Sequence, residues 1–342
     1  MNTQIRRLVI FVLCLILVVL FFRLNQSREK QLFKETRTSL YTLVAMTVVT
    51  SSEDRARKAM GEAYGELDRL GQLLNFYAED SELSAINRNA GIQPVPVSPD
   101  TLEIIQAAVY AGEQTEGGFD VTVGPVVKLW DFNEKILPDP ASVAERLPFV
   151  GYQNIVIDAA ASSVFLKKAG VQVDLGGIIK GFAADKAVAV LQKNGMEGGI
   201  VAVAGDIRVF GRQPDGRPWH LGVQNPRQKE DSDVLLATLD LEDKGISTSG
   251  DYQRYFIRDG VRYHHLFNPK TGFPESLCQS VTVIAPTTTL TDAFATGIFI
   301  MGPKKGLALL EKLDMDGIIV DQDGKVLLTK GLDNQVHFID AK

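Results

Sequence analysis

Cysteine is nearly absent from this chain of 342 residues, which contains only Cys14 and Cys278. Cys14 lies in an apolar run near the N-terminus and Cys278 lies far downstream, so we expect no structural disulfide. Two cysteines also exclude a zinc or iron–sulfur site built from cysteine alone. Only four histidines occur, which argues against a metal site with several histidine ligands.

Blocks of basic residues are absent too, and 36 Lys and Arg against 42 Asp and Glu give a net charge of -6. A nucleic-acid-binding surface normally shows clustered basic residues, so we do not expect this class of function. An anionic ligand would therefore need a local cation, from a lysine or from a metal ion. The length suits one large domain or two lobes around substantial cores.

The most informative segment of the chain is VDLGGIIKG at residues 173–181. It matches neither of the common glycine-rich phosphate-binding motifs, GxGxxG and GxxxxGK[ST]. A short apolar run ends there at Asp174, two glycines follow, and Lys180 precedes a helix-like stretch at residues 182–191. Unpaired N–H groups and the positive end of a helix dipole suit a phosphate, and Lys180 adds a positive charge. The segment therefore predicts a phosphate site of neither the Rossmann nor the P-loop kind.

An unbroken apolar run occupies residues 8–22, between Arg7 and Arg23. It is shorter than the ~20 residues of a full membrane span, and no small-residue cleavage site of the A-x-A type follows it. We therefore expect residues 1–24 to form an uncleaved signal anchor whose flanking arginines reach the membrane surface. Residues 25–34 are polar and are predicted to form a short tether. The alternative is that the apolar run forms a helix buried within the fold.

Residues 35–342 are predicted to form the folded domain. Helices are expected where apolar residues recur every three or four positions, at residues 53–74, 98–117, 182–195, 291–302 and 305–313. Strands are expected at residues 40–50, 155–157, 164–166, 171–173, 200–204, 207–210, 219–223, 235–241, 280–284 and 318–320. Because the strands come in runs between helices, we predict an α+β fold with largely antiparallel sheets and packed helices.

Four further groups of residues combine glycines with polar side chains, and each has a purely structural alternative. They are TEGGFDVTVGP at 115–125, AGD at 204–206 with ISTSGDY at 246–252, RYHHLFNPKTG at 262–272, and TDAFAT at 291–296. The first is also typical of a helix C-cap that leads into a strand at Asp120. The second contains Gly-Asp pairs of the kind that ordinary turns use.

The last two groups contain the candidate reactive side chains. His265 is the best candidate general base of the chain, although a histidine beside a turn is often only a hydrogen-bonded surface group. Asp292 and Thr296 lie four residues apart and share one helix face, where their oxygens would suit Mg²⁺. The alternative is that Asp292 only stabilises the helix dipole.

Taken in order, these segments resemble the ApbE family of FAD:protein FMN transferases, from about residue 40 to the C-terminus. The resemblance is carried by DSEL at 80–83 with Asn87, GFDVTVGP at 118–125, DLGGIIKG at 174–181, TSGDY at 248–252, His265 with PKTG at 269–272, and DAFAT at 292–296. It implies two lobes around a flavin cleft, preceded here by the N-terminal anchor helix.

The resemblance also implies roles for individual residues. The residues implied to contact FAD are Tyr77, Gly118, Phe119, Asp120, Asp174, Lys180, Ser249, Asp251 and Phe267. The ligands implied for Mg²⁺ are the Gly177 carbonyl, Asp292 and Thr296. His265, Lys180 and Asp292 are implied to be catalytic: His265 would accept or orient a hydroxyl proton, Lys180 would hold a phosphate, and Asp292 would hold the metal.

The chain departs from the family pattern at four places. Leu40-Tyr41-Thr42 stands in place of Met-Gly-Thr, and Ala204 stands where glycine is usual. Ala295 occupies the position of a third metal-binding side chain of some members, and Asn268 replaces the usual aspartate before Pro269.

The function implied by the resemblance is the Mg²⁺-dependent transfer of FMN from FAD to a threonine or serine hydroxyl of a target protein, with release of AMP. Two alternatives stay open: an Mg²⁺-dependent FAD pyrophosphatase that gives FMN and AMP, and a membrane-tethered protein that binds FAD without chemistry. The implied partners are FAD and target proteins of membrane or exported redox systems. The implied location is the inner membrane, with the folded domain facing the periplasm.

Overall fold

The computed structural model describes residues 29–227 and 234–339. The expected anchor at residues 1–24 lies outside this range. Within the described residues, no helix is both long and apolar enough to cross a membrane. The predicted tether at 25–34 is wrong at its C-terminal end, because a strand begins at Gln31. That strand pairs along its whole length with the next one, from Gln31 opposite Thr50 to Ser39 opposite Thr42.

The strands are numbered here in chain order. They are β1 (Gln31–Ser39), β2 (Thr42–Thr50), β3 (Val95–Pro96), β4 (Ile155–Asp158), β5 (Ser163–Leu166), β6 (Gly198–Val203), β7 (Asp206–Phe210), β8 (Trp219–Gln224), β9 (Leu235–Leu241), β10 (Gly245–Gly250), β11 (Tyr255–Arg258), β12 (Val261–His264), β13 (Cys278–Ala285), β14 (Asp316–Asp321), β15 (Val326–Leu328) and β16 (Val336–Phe338).

The helices are α1 (Glu53–Leu73), α2 (Glu82–Arg88), α3 (Pro99–Gln114), α4 (Gly124–Val127), α5 (Pro140–Arg146), α6 (Ile179–Lys193), α7 (Thr288–Met301) and α8 (Pro303–Lys312). Several begin where the sequence predicts. The Ser52 side chain caps α1 by accepting from the Arg55 N–H, and Ser98 caps α3, in which Pro99 takes the first position.

The main sheet has the order β1-β2-β6-β7-β10-β13-β14-β15, and every neighbouring pair in it is antiparallel. Helices α1, α6 and α7 pack on one face of this sheet and enclose the main core. On the other face lies a smaller sheet, β16-β9-β8, with its own apolar cluster. The predicted α+β fold with antiparallel sheets is therefore confirmed.

The centre of the main sheet is buried on both faces. All eight residues of β13 are buried, and α7, which packs on β10 and β13, has ten buried residues. Helices cover one side of β13 and a second sheet covers the other, so its polar residues Gln279, Ser280 and Thr282 are buried together with its apolar ones. Two site residues, Asp292 and Thr296, thus lie on a helix that the core holds firmly.

A separate group of aromatic side chains, here called the aromatic cluster, lies beside the main core. It consists of Trp130, Phe132, Phe256, Tyr263, Phe267 and Phe273. The Trp130 and Phe267 ring centroids are 4.9 Å apart, and the small β11–β12 hairpin contributes Phe256 and Tyr263. The expected division into two lobes stays a prediction. The structure does show that the aromatic cluster is separate from the main core.

Three local predictions are wrong. Residues 82–88 are not among the helices predicted above, yet they form α2, because Ser81 caps them by accepting from the Ser84 N–H at 3.0 Å. Residues 171–173 make one isolated bridge, Val123 to Gln172, instead of a strand. Asp120 begins no strand, because its carboxylate accepts from the N–H and hydroxyl of Thr122 and turns the chain toward α4.

Candidate active site

A cavity of about 600 Å³ opens between the main core and the aromatic cluster. Most of the residues that the sequence analysis assigned to the site line it. They are Tyr77, Gly118, Phe119, Asp120, Asp174, Gly177, Lys180, Ser249, His265, Phe267, Asp292 and Thr296. The fold thus gathers residues separated by more than half of the chain into one cavity of the size typical for a small-molecule ligand.

Lys180 and two carboxylates form the floor of the cavity. The Lys180 ammonium donates to the Asp206 carboxylate and lies 3.9 Å from Asp292 Oδ1. Burial alone would lower the Lys180 pKa, but the two carboxylates together raise it above its ordinary value. Burial, and then the nearby Asp206 charge, raise the pKa of Asp292 to about 7, against the opposing effect of Lys180. The floor therefore contains two carboxyl groups and one ammonium group.

The start of α6 is occupied by a protein carboxylate, not left open for a phosphate as the sequence analysis predicted. Asp292 Oδ2 accepts from the Gly181 N–H at 3.0 Å, and the Lys180 N–H also donates to Asp292. Since an anion at a helix N-terminus is stabilised by free N–H groups and by the dipole, Asp292 itself meets that need. A phosphate at this point would have to compete with it.

Gly181 is what allows α6 and α7 to approach this closely. A β-carbon at position 181 would lie 2.1 Å from the Thr288 carbonyl oxygen and 2.8 Å from Asp292 Cβ. At Gly177, a β-carbon would lie 3.9 Å from Thr296 Oγ1. The twin-glycine segment and the α7 residues are therefore direct neighbours, although more than a hundred residues separate them in the sequence.

The residues implied to hold a metal ion fit a hard divalent cation. Gly177 supplies a main-chain carbonyl, Asp292 a carboxylate and Thr296 a hydroxyl, which lies 3.0 Å from Ser249 Oγ. Oxygen donors of these kinds are the usual ligands of Mg²⁺. Ala295 is fully buried and offers no donor. In the described part of the chain, no cluster of three or more His, Cys, Asp or Glu could hold a metal instead.

His265 sits in the cavity wall with one ring nitrogen already engaged. Its Nδ1 is 3.3 Å from the Arg254 carbonyl oxygen, which requires an Nδ1–H donor and leaves Nε2 as the acceptor. Burial, followed by the neighbouring His264, lowers the His265 pKa to about 4. The imidazole is therefore neutral near pH 7 and can accept a proton at Nε2, although it is a weak base.

The turn after His265 explains one departure from the family pattern. Asn268 Oδ1 accepts from the Lys270 N–H at 2.9 Å, and Asn268 Nδ2 donates to Glu275 Oε2 at 2.9 Å. A carboxylate could make the first bond but could not donate the second. The amide thus holds the turn to Glu275 without placing another negative charge near the cavity.

Two predicted flavin contacts have their carboxylates engaged within the protein. Asp120 accepts from Thr122 and, through Oδ2, from the Tyr152 N–H at 2.7 Å, so it shapes the loop beside the cavity. Asp251 accepts two hydrogen bonds of 2.7 Å from Arg227 and is not among the described residues that line the cavity. The structure therefore does not bring Asp251 to the site with the others.

Asp174 is held in place by a side chain from the DSEL…N motif. The Asn87 amide donates to the Val173 carbonyl at 2.9 Å and accepts from the Val173 N–H at 2.7 Å. These two hydrogen bonds satisfy the backbone N–H and carbonyl of Val173, as a neighbouring β-strand would do. It fixes the adjacent Asp174, which accepts from the Gly176 N–H at 2.8 Å and has its pKa raised by burial.

Several cavity residues were missed by the sequence analysis. The Trp130 Nε1–H is buried and has no hydrogen-bond partner among the described residues. Two cations at the mouth pack on aromatic rings: Arg254 lies 5.0 Å from the Phe132 ring centroid, and Lys128 lies 4.7 Å from that of Phe76. Aromatic residues in an irregular segment resemble ordinary core residues, so the sequence offered little signal for them.

The fold and the cavity define an α+β enzyme with an acid–lysine floor and aromatic walls. The chain belongs to the ApbE family, whose model matches residues 40–319. An FAD:protein FMN transferase of Haemophilus influenzae is 35% identical over 265 residues, covering 75% of this chain and 76% of the relative. One of Treponema pallidum is 33% identical over 301 residues and covers 83% of each chain.

Solved structures of ApbE proteins are similar to this chain as well. The ApbE protein of Thermotoga maritima superposes with a TM-score of 0.82 at 32% identity, covering 89% of this chain and 99% of that one. The apo form of the Pseudomonas stutzeri flavinyl transferase ApbE gives a TM-score of 0.79 at 28% identity, covering 90% and 97%. The family resemblance deduced from the sequence motifs is confirmed.

Proposed function

We propose that this enzyme transfers FMN from FAD to a threonine or serine hydroxyl of a target protein, in a reaction that depends on Mg²⁺ and releases AMP. The activity is inferred from the relatives, which are named FAD:protein FMN transferases. The observation that carries the proposal is the cavity floor, where Gly177, Asp292 and Thr296 lie next to Lys180.

In this reaction the oxygen of the target hydroxyl forms a bond to the FMN phosphorus, and the bond from that phosphorus to the AMP oxygen breaks. His265, neutral and with Nε2 available, accepts or orients the hydroxyl proton. The aromatic cluster and Tyr77 bind the flat rings, which leaves the phosphates near the floor. Such a reaction needs positioning and charge neutralisation more than covalent help.

A bound Mg²⁺ would neutralise phosphate charge as a Lewis acid, held by Asp292, Thr296 and the Gly177 carbonyl. Asp292 is kept in place for this role by the Gly181 N–H. Lys180, already paired with Asp206 and Asp292, sets the charge of the floor and orients both carboxylates.

The test is intact-mass analysis of a threonine-bearing acceptor after incubation with this enzyme, FAD and Mg²⁺. We expect a gain of one FMN group, no gain with chelator present, and no gain with Asp292→Asn. Asp323→Asn, an exposed change on the β14–β15 turn, serves as the matched control and should transfer normally. Free FMN with unmodified acceptor would indicate a pyrophosphatase, and intact FAD would indicate a binding protein.

We also propose that residues 1–24 anchor the chain in the inner membrane, with the folded domain on the periplasmic side. The support is the apolar run at residues 8–22 between Arg7 and Arg23. The full chain should fractionate with membranes and should be digested by protease added to spheroplasts. A full chain found in the soluble fraction would contradict the anchor.

A further inference from the structure

A second cavity, here called the side groove, lies beside the cavity proposed to hold FAD and has a volume of about 760 Å³. The side chains that define it come from four segments and include Phe76, Glu79, Arg88 and Gln172. Tyr77 and Lys128 line both the side groove and the FAD cavity. The two spaces therefore adjoin each other at these two side chains.

Helix α2 forms one wall of the side groove. Its residues that line the groove are Ser84, Asn87 and Arg88. Residues three and four positions apart share one face of a helix, so α2 presents a face to the groove. The Asn87 amide also holds Val173, with hydrogen bonds of 2.9 and 2.7 Å. Since Gln172 lines the groove and Asp174 lines the FAD cavity, one short segment separates the two spaces.

The charged side chains of the side groove have no ionic partners within the described residues. They are Glu79, Asp80, Arg88 and Lys128. Arg88 donates to the Glu79 main-chain carbonyl, and the Lys128 ammonium lies 4.7 Å from the Phe76 ring centroid. The neighbouring helix α1, by contrast, pairs arginines with its own carboxylates. Charges of both signs in the groove are therefore available to a bound molecule.

The uncharged side chains of the groove suit a polar polypeptide. Gln172 makes no side-chain hydrogen bond to the described residues, and its amide can donate to a peptide carbonyl and accept from a peptide N–H. The Phe76 and Tyr77 rings, 5.1 Å apart, add a small apolar surface. An apolar helix or a lipid chain would cover the charges without pairing them, which costs free energy. The groove is therefore matched to an extended segment with polar and charged side chains.

The proposed reaction needs a second site of this kind. The FAD cavity, of about 600 Å³, has the size typical for one small-molecule ligand. A target protein must therefore approach from outside, along a surface that ends at the cavity. Main-chain hydrogen bonds and alternate side chains are the usual way in which a groove recognises an extended peptide.

We propose that the side groove binds the segment of the target protein that carries the reactive threonine or serine, in an extended conformation. The inference rests on the proposed function, since it requires a protein as the acceptor of FMN. It assigns a role to the face of α2 and to Gln172 that FAD binding does not require.

Arg88→Glu is the first test, because it removes one cation and adds a third carboxylate beside Glu79 and Asp80. We expect the KM for the acceptor to rise about tenfold, since a like charge at a binding surface opposes association. The kcat at saturating acceptor and the Kd of FAD should not change. Arg57→Glu makes the same charge change on the exposed face of α1 and should leave all three values unchanged.

Gln172→Ala is the second test, and it keeps the charge of the groove and the Arg88 contact with Glu79. Losing one hydrogen bond to the bound segment should raise the KM for the acceptor about fivefold, again without a change in the Kd of FAD. Thermal unfolding of each variant shows that it is folded. An acceptor KM that stays at the wild-type value in both folded variants would overturn the inference.

Hydrogen exchange locates the acceptor without turnover. The probe is an acceptor protein whose target threonine is replaced by valine, added to the enzyme with FAD bound. We expect slower exchange in α2 and in residues 76–80, and no such change with FAD alone. Protection elsewhere but not in α2 would overturn the inference, while FMN transfer by the wild type would still support the proposed function. A wild type that neither transfers FMN nor shows protection of α2 would overturn both.

Discussion

Asp206 shows how a single residue sets the charge of the cavity floor. It is 2% exposed, opens β7 and accepts from Lys180, so Asn at this position would leave Lys180 with Asp292 as its remaining partner. Removing one member of a buried ion pair costs about 3–5 kcal/mol. Because the Lys180 side chain is 35% exposed and cavity water screens its charge, we expect a loss of about 2 kcal/mol.

Urea unfolding followed by tryptophan fluorescence would measure this loss in Asp206→Asn. The control is Asp240→Asn, which removes an exposed carboxylate 2.8 Å from His220 and should change stability by less than about 0.5 kcal/mol. We also expect FMN transfer to slow, because Lys180 would then draw closer to Asp292. Equal losses of stability in the two variants would contradict this account of the floor.

His264 makes stability depend on pH. It is buried, donates from Nε2 to the Glu275 carbonyl at 2.8 Å and accepts at Nδ1 from the Leu266 N–H at 3.3 Å, so it is neutral. Burial lowers its pKa below 6.5, and the His265 pKa falls to about 4. The unfolded chain therefore takes up protons first on acidification, and stability should fall as pH drops below about 6.5.

The size of the effect follows from the same linkage. His265, whose pKa is about 4, stays neutral at pH 5, which costs about 2 kcal/mol of stability relative to pH 7.5 because the unfolded chain is protonated there, and the lowered pKa of His264 acts in the same direction. Urea unfolding at both pH values should show this loss in the wild type. His264→Gln keeps a donor for Glu275 but cannot titrate, so its loss should be smaller than that of the wild type. The same pH dependence in wild type and variant would exclude His264 as a cause.

At the scale of elements, the contact between α6 and α7 sets the geometry of the floor. Gly181→Ala would place a methyl group 2.1 Å from the Thr288 carbonyl oxygen, forcing the helices apart and moving Asp292. We expect a loss of about 3 kcal/mol of stability and a clear loss of FAD affinity. Gly61→Ala in α1 is the control, because a β-carbon there meets nothing within 4 Å.

The control should behave in the opposite way. Alanine in a helix interior is more favourable than glycine by about 0.5–1 kcal/mol, so Gly61→Ala should be more stable than the wild type and should bind FAD normally. Thermal unfolding and FAD titration of both variants would check this. A Gly181→Ala variant with wild-type stability would mean that α6 and α7 tolerate a wider spacing.

Elements with strong local signals were predictable from the sequence. The caps at Ser52 and Ser98 and the apolar periodicity of α1 and α3 fix those helices locally. Residues 171–173 misled the analysis, because Val173 finds its backbone partners in the Asn87 amide, 86 positions earlier. Such a contact depends on tertiary structure, and no local pattern contains it.

The site itself was only partly predictable, for a similar reason. Its residues were assigned by resemblance to a family, and most of them do line the cavity. Asp206 was not assigned, because a Gly-Asp pair at a strand end looks like any turn. Asp251 was assigned but pairs with Arg227, and nothing around it in the sequence marks that partner. Charge pairing between distant segments is what the sequence could not show.

At the scale of the whole molecule, the cavity separates two cores of different size. The main core joins the large sheet to α1, α6 and α7, whereas the aromatic cluster, which includes two residues of the β11–β12 hairpin, packs on Val126 and on a few partly buried apolar residues. A small core with few partners opens at a lower free energy than the global unfolding of the chain. We therefore expect the aromatic cluster to open locally while the sheet stays folded.

FAD should suppress this local opening, because it would contact both cores at once. Hydrogen exchange of the enzyme without ligand should be fast in β11 and β12 and slow in β10 and β13, which lie inside the main sheet. At a hundredfold excess of FAD over its Kd, the bound state gains about 2.7 kcal/mol, which slows exchange in the hairpin about a hundredfold. In β13, FAD should slow the exchange only of those amides that exchange through global unfolding of the chain. If FAD slowed β13 alone and left the hairpin unchanged, the ligand would not bridge the two cores, and the cavity would not be its binding site.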